Sequence, residues 1–150
     1  NKHLWHETRI PFFENLLRVE DSHQKNNSRV IFGDGFIQST IHEVFKSNQA
    51  DFDPVLKSMK HTPIQDLALV RQHNSTIYRW IRPIIDTSET APTVRLEFRI
   101  LPSGPTICDM IANISFLIGL AEGIASIDID YNKLDFQKVR ACFYENAKYG

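Results

Sequence analysis

The chain is expected to be an α+β domain in which an antiparallel sheet is backed by helices, and three observations predict it. Apolar residues recur at helical spacing over 36 to about 72. Two consecutive runs, Thr76 to Arg82 and Thr93 to Leu101, are instead rich in β-branched and aromatic residues with period-2 alternation. A long apolar helical pattern follows from Thr106, and an amphipathic one follows from Asp135.

Residues 1 to 35 are polar and irregular, with an apolar cluster at Ile10-Pro11-Phe12-Phe13 and Leu16-Leu17 and a loop-like run from Asp21 to Ser28. Gly33-Asp34-Gly35 reads as a turn, because no Gly-Lys-Ser/Thr follows to make a phosphate loop. From Phe36 to Ser47, Ile37, Ile41, Val44 and Phe45 fall on one helical stripe. Asp53-Pro54 is a cap and first-turn pair for Val55, Leu56 and Met59, and Thr62-Pro63-Ile64-Gln65 reads as a capping box. Thr76 to Arg82 is a strand whose extension Pro83 limits, Asp86 to Pro92 is a loop, and the two strand runs pair as an antiparallel hairpin. Pro102-Ser103-Gly104-Pro105 ends the second strand, and Thr106 with Asp109 caps a helix apolar enough to be well buried. Asp135 opens a last helix with Phe136, Val139, Phe143 and Ala147 on one face. Asn113 is expected as a satisfied buried amide bonding to the hairpin, and Cys108 and Cys142 as small core residues.

The chemistry concentrates in Arg95-Leu96-Glu97-Phe98-Arg99. A strand turns successive side chains to opposite faces, so Val94, Leu96, Phe98 and Ile100 face a core while Arg95, Glu97 and Arg99 share the other side. Guanidiniums match phosphate oxygens bidentately, and a carboxylate flanked by positive charge is a hard oxygen ligand for Mg²⁺. Cross-strand ion pairing on a solvated face is the alternative for the row alone. The hairpin adds Arg79 and Arg82, with His73-Asn74-Ser75-Thr76 leading into it.

With 150 residues and 42% hydrophobic content, the chain suits one domain with a real core. A net charge of −1 supplies no global field for nucleic acid or anionic lipid. Two cysteines without C-x-x-C make no disulfide framework, and no apolar run approaches the roughly 20 residues that span a bilayer, so a cytoplasmic location is expected. His3, His6, His61 and His73 share no zinc-ligand spacing. The start at Asn1 and the stop at Gly150 directly after a helical pattern suggest a piece of a longer protein.

The runs His73-Asn74-Ser75-Thr76-Ile77-Tyr78-Arg79-Trp80-Ile81-Arg82-Pro83, Arg95 to Thr106, and Asp109-Met110-Ile111-Ala112-Asn113 resemble the C-terminal half of glutamate–cysteine ligase family 2, the carboxylate–amine ligases. Members tend to read His-Asn-Gly-Thr, Trp-Arg-Trp-Asn-Arg-Pro, Glu-Asn-Arg and Pro-Ala-Gly-Pro-Thr in that order. The likeness is strongest over residues 73 to 121, continues through 143 to 150 and extends upstream only through Arg9 to Phe13. It implies a glutamine-synthetase-like half domain, the C-terminal fragment of a larger ligase-like catalytic domain. There, ATP would phosphorylate a glutamate-like carboxylate, and an amine acceptor would attack the acyl phosphate. By position, Glu97 would be a Mg²⁺ ligand, Arg99 would contact ATP phosphates, and Arg82 would take substrate carboxylate or phosphate. Arg79, Arg95 and Asn74 would join Arg99 in holding the nucleotide.

Ser75 stands where glycine is usual, which would be strained if the turn needs a positive φ, and Ile81 replaces a polar residue. The remaining acidic metal ligands would lie in the N-terminal half of the same polypeptide, so the 150-residue piece alone is expected to be inactive. A ligase-like module that binds or regulates without catalysis is the alternative. A third possibility is single-stranded nucleic acid stacking on Tyr78-Arg79-Trp80 and Arg82, against which the charge balance argues.

Overall fold

The run from Thr76 to Asp86 does not form one strand but divides at Trp80, and this division organises the fold. In the computed structural model, which describes residues 5–18, 28–56, 67–87 and 91–150, the elements are α1 (Arg9–Leu16), β1 (Val30–Ile31), α2 (His42–Asp51), α3 (Ala68–Ser75), β2 (Tyr78–Arg79), β3 (Ile81–Asp86), β4 (Thr93–Phe98), α4 (Ile107–Ser126), a 3₁₀ turn (Tyr131–Lys133) and α5 (Phe136–Tyr149). β2 pairs in parallel with β1, whereas β3 pairs antiparallel with β4 from Ile81↔Phe98 to Asp86↔Thr93. The mixed helix and strand content agrees with the α+β expectation, but the described strands form two separate ribbons instead of one antiparallel sheet.

Pro83 sits inside β3, buried, and does not limit it. Its carbonyl accepts from Asn74 Nδ2 at 2.8 Å. In an antiparallel pair the N–H and C=O of one residue point the same way, so the Pro83 nitrogen also points away from β4 and the ladder loses no donor.

The expected irregular start contains α1, in which Pro11 occupies the first turn, where a missing N–H costs nothing. Ile10 drops from this helix into a core cluster with Val30 and Trp80, against which Phe13, Tyr78, Phe143 and Tyr144 pack. Ile31 turns the other way, onto Phe52 and Ile77. The period of two thus places consecutive β1 residues in two different clusters. Residues 5 to 9 tie the chain ends together, since His6 and Glu7 N–H groups donate to the carbonyls of Lys148 and Ala147.

Helix α4 opens as expected, with Thr106 Oγ1 accepting from the Asp109 N–H and the Asp109 carboxylate accepting from the Thr106 N–H at 3.0 Å. Gly104 is required there, because Asp109 occupies the space that a Cβ would take. The expected burial of this helix is corrected, for none of its residues is buried. At 20 residues and mean hydropathy 1.6 it is also long and apolar enough to cross a membrane, contrary to the expectation that no run approaches that length. It carries Asp109 and Glu122. Cys108 and Cys142 are exposed, not core residues. Asn113 is satisfied by the Pro102 carbonyl at 3.0 Å, at the strand end as expected, but it is not buried. Asp135 caps α5 by accepting from the Gln137 and Lys138 N–H groups.

The stripe expected from Phe36 forms a helix only from His42, where Glu43 accepts from the backbone N–H groups of Gln38, Ser39 and Thr40. Asp53 to Leu56 are not helical. Met59, the 62–65 capping box, His3, His61 and most of the Asp21 to Ser28 loop lie outside the described residues.

Candidate functional site

The β3–β4 register puts Arg82 directly opposite Glu97. Alternation then places Ile84, Asp86, Arg95 and Thr93 on that same face, and Ile81, Pro83, Leu96 and Phe98 on the other. The parity read from the sequence is the parity of the ribbon, but the apolar face is not a core: Val94, Leu96 and Phe98 leave 37 to 50% of their surface in solvent.

On the ionic face, Glu97 Oε2 accepts from Arg82 Nε at 2.9 Å and Arg99 Nε at 2.8 Å, and Arg99 Nη2 approaches the same oxygen at 2.7 Å. Arg99 lies beyond the last paired residue of β4 and is held by its own N–H on the Trp80 carbonyl, by its guanidinium 4.4 Å over the Tyr78 ring, and by the chain that follows. That chain is gripped by Arg9, whose guanidinium donates to the carbonyls of Arg99, Ile100 and Leu101 at 3.0 to 3.1 Å while Glu7 holds it from the other side at 2.8 to 2.9 Å. The hydrogen bonds to Glu7 keep the Arg9 guanidinium above its ordinary pKa, and the same pairing keeps Glu7 below the usual carboxylate range. Charge-assisted pairs of this kind fix orientation as well as energy. Tyr78 is itself stacked on Phe13 at 4.4 Å, so the platform under Arg99 is part of the core.

Arg95 and Arg79 do not converge on Glu97. Arg95 Nη2 pairs with Asp86 at 2.9 Å, further along the same face. Arg79 is buried and donates through Nε and Nη2 to Asn48 Oδ1 at 2.9 and 2.7 Å and through Nη2 to Ser47 at 3.2 Å. Burial lowers its pKa, opposed by the charges of Asp34 and Asp51. Asn48 passes the chain of bonds to Asn74, whose Oδ1 accepts at 3.0 Å and whose Nδ2 reaches Pro83. Arg79 and Asn74, expected at a nucleotide, are therefore members of a buried network joining α2, α3 and β3. Trp80 is buried too, so no exposed Tyr-Arg-Trp platform for nucleic acid exists on this strand.

Asn74, Ser75 and Arg82 do meet in a cleft of about 220 Å³, which Arg71 also lines. Arg71 was not singled out by the sequence, although its spacing of three and four from Asn74 and Ser75 puts it on their helix face. Ser75 ends α3 with no positive φ, and its hydroxyl donates to the Gln72 carbonyl, so the glycine-to-serine departure carries no backbone strain here. Ile81 lies on the apolar face with Pro83 and Leu96, and a polar residue there would not point at Glu97.

Among the described residues, no group of three or more His, Cys, Asp or Glu side chains is placed to hold a metal ion. Mg²⁺ demands near-octahedral oxygen ligation and is usually held by one or two carboxylates with substrate phosphates and water. Glu97 offers a single carboxylate whose Oε2 already takes two guanidiniums, which does not amount to a Mg²⁺ site within the described residues. Comparison with protein-family models, curated proteins and solved structures finds no match to this chain.

Proposed function

We propose that residues 73 to 106 form part of the ATP- and carboxylate-binding cleft of an ATP-dependent carboxylate–amine ligase of the glutamate–cysteine ligase kind. The observation that carries this reading is the Arg82–Glu97–Arg99 triad on a half-exposed ribbon face, beside the cleft lined by Arg71 and Arg82. Transfer of a γ-phosphoryl group to a carboxylate is chiefly a matter of positioning anions and neutralising their charge. Arg82 and Arg99, pre-aligned by a shared carboxylate, suit that task. In this reading Mg²⁺ would need further acidic ligands from an N-terminal part of the same polypeptide. The substrates would be a glutamate-like carboxylate and an amine acceptor, and the piece by itself would be inactive.

A second reading, a ligase-like module that binds without catalysing, is favoured by one observation: both polar ends of the Asn74 amide are consumed by scaffold bonds. The two readings separate in one experiment on the protein at its natural length. Formation of an amide product with release of ADP and phosphate supports the ligase, nucleotide binding without product supports the module, and failure to bind Mg²⁺–ATP refutes both.

A further inference from the structure

We propose that Arg9 is a positioning residue for Arg99, aiming the Arg99 guanidinium at an anion bound beside Glu97; this rests on the phosphate-binding reading of the Arg82–Glu97–Arg99 face. Arg99 stands one residue past the end of β4, so the ladder that fixes Arg82 and Glu97 does not fix it. Burial does not fix it either, since no residue from 91 to 106 is buried, and Pro102 and Pro105 have no N–H with which to tie the segment down.

Arg9 supplies what is missing. Its Nη1 donates to the carbonyls of Arg99 and Leu101, its Nη2 to the Ile100 carbonyl and Glu7 Oε2, and its Nε to Glu7 Oε1, so each of the five N–H bonds of the guanidinium has its own acceptor. Successive carbonyls of an extended chain point to opposite sides, so three in a row meet one group only where the chain bends. The bend at Ile100 and Leu101 is fitted to the planar fork of an arginine, which the point-like ammonium of a lysine does not reproduce. Glu7, which orients the fork, is fixed in turn by its own N–H on the Ala147 carbonyl at 2.7 Å.

The same helix sets the side chain of Arg99. Phe13 lies one turn on from Arg9, at i+4 on the same face of α1, and stacks on Tyr78 at 4.4 Å. The Arg99 guanidinium rests 4.4 Å over that Tyr78 ring. Helix α1 thus holds both the backbone and the platform of the one guanidinium in the triad that the ribbon register leaves unplaced.

The test uses the full-length protein with nitrogen-labelled arginine. The Arg99 Nε–H resonance, identified by its loss in Arg99→Ala, reports the position of the guanidinium over the Tyr78 ring and needs no nucleotide. Arg9→Lys should keep the circular dichroism spectrum, shift this resonance and weaken Mg²⁺–ATP binding about tenfold. Combined with Arg99→Ala it should weaken binding no further, because it acts through the guanidinium already removed. Glu7→Gln, which sets an amide with one acceptor oxygen against two of the Arg9 donors, should shift the resonance in the same direction. An unmoved Arg99 resonance in both variants overturns the proposal. So do losses of affinity that multiply in the double variant, and so does failure of both Arg9→Lys and Glu7→Gln to fold, which would make the clamp a brace for the whole domain. If the wild-type protein does not bind Mg²⁺–ATP, the nucleotide reading falls and the resonance alone decides: shifted, Arg9 positions Arg99; unshifted, it does not.

Discussion

Replacing Asn74 by alanine should reveal whether this amide is scaffold or ligand group. The side chain is buried, with Oδ1 accepting from Asn48 Nδ2 at 3.0 Å and Nδ2 donating to the Pro83 carbonyl at 2.8 Å. Asn74→Ala orphans one buried donor and one buried acceptor, each costing about 1–3 kcal/mol. It also frees Asn48, whose Oδ1 receives two of the bonds from the Arg79 guanidinium. The expected destabilisation is about 2–5 kcal/mol, a large share of the roughly 5–15 kcal/mol available to a domain. Asn74→Asp keeps the acceptor for Asn48 and loses the donor to Pro83, so it should also destabilise. Urea unfolding followed by tryptophan fluorescence measures both, with Trp80 in the affected core as reporter. A loss below about 1 kcal/mol for Asn74→Ala, with weakened nucleotide binding, would refute the scaffold role and return this residue to the ligand.

Three further outcomes are expected. Arg99→Ala removes a guanidinium, 20% exposed, from Glu97 and Tyr78 and should cost about 1–3 kcal/mol of stability, while lowering Mg²⁺–ATP affinity of the full-length protein at least tenfold; unfolding of the variant would show Arg99 to be structural. Gly104→Ala forces a Cβ into Asp109 and should destabilise by about 1–3 kcal/mol, read as a lower urea midpoint, and an unchanged midpoint would contradict the close approach. Three backbone N–H groups hold the Glu43 carboxylate at about 2, well below its ordinary 4.5, so its hold on the 38–40 segment that leads into α2 should be intact above the ordinary value and be lost as pH falls through about 2. Side-chain NMR titration checks this, and a midpoint near the ordinary value would sink it.

What the sequence shows of this fold follows from which interactions are local. The Thr106–Asp109 box, the Asp135 cap and the parity of Arg95, Glu97 and Arg99 each rest on a spacing of two or three residues, and the structure has all of them. The pairing of Val30-Ile31 with Tyr78-Arg79 joins residues 48 apart in strands only two residues long, which leaves no periodic trace. Helix α4 departs from its expected burial for a different reason: apolar content reports what a helix prefers to cover, not what is there to cover it.

The four arginines of the hairpin show where side-chain identity stops being informative. By residue type they are equivalent candidates for a phosphate. Their surroundings sort them: Arg79 is turned inward from β2 and meets the amide of Asn48, Arg95 sits two pairs from the end of the ribbon and finds Asp86, and only Arg82 and Arg99 share Glu97. A buried guanidinium bonded to the Asn48 amide and the Ser47 hydroxyl ties α2 to the strands, whereas the two on Glu97, with 17% and 20% of their side chains exposed, are held in place yet keep an edge toward solvent. An anion bound beside Glu97 would therefore be met by Arg82 and Arg99, and one further along the face by Arg95, with Arg79 acting only through the position of the strand that leads to them.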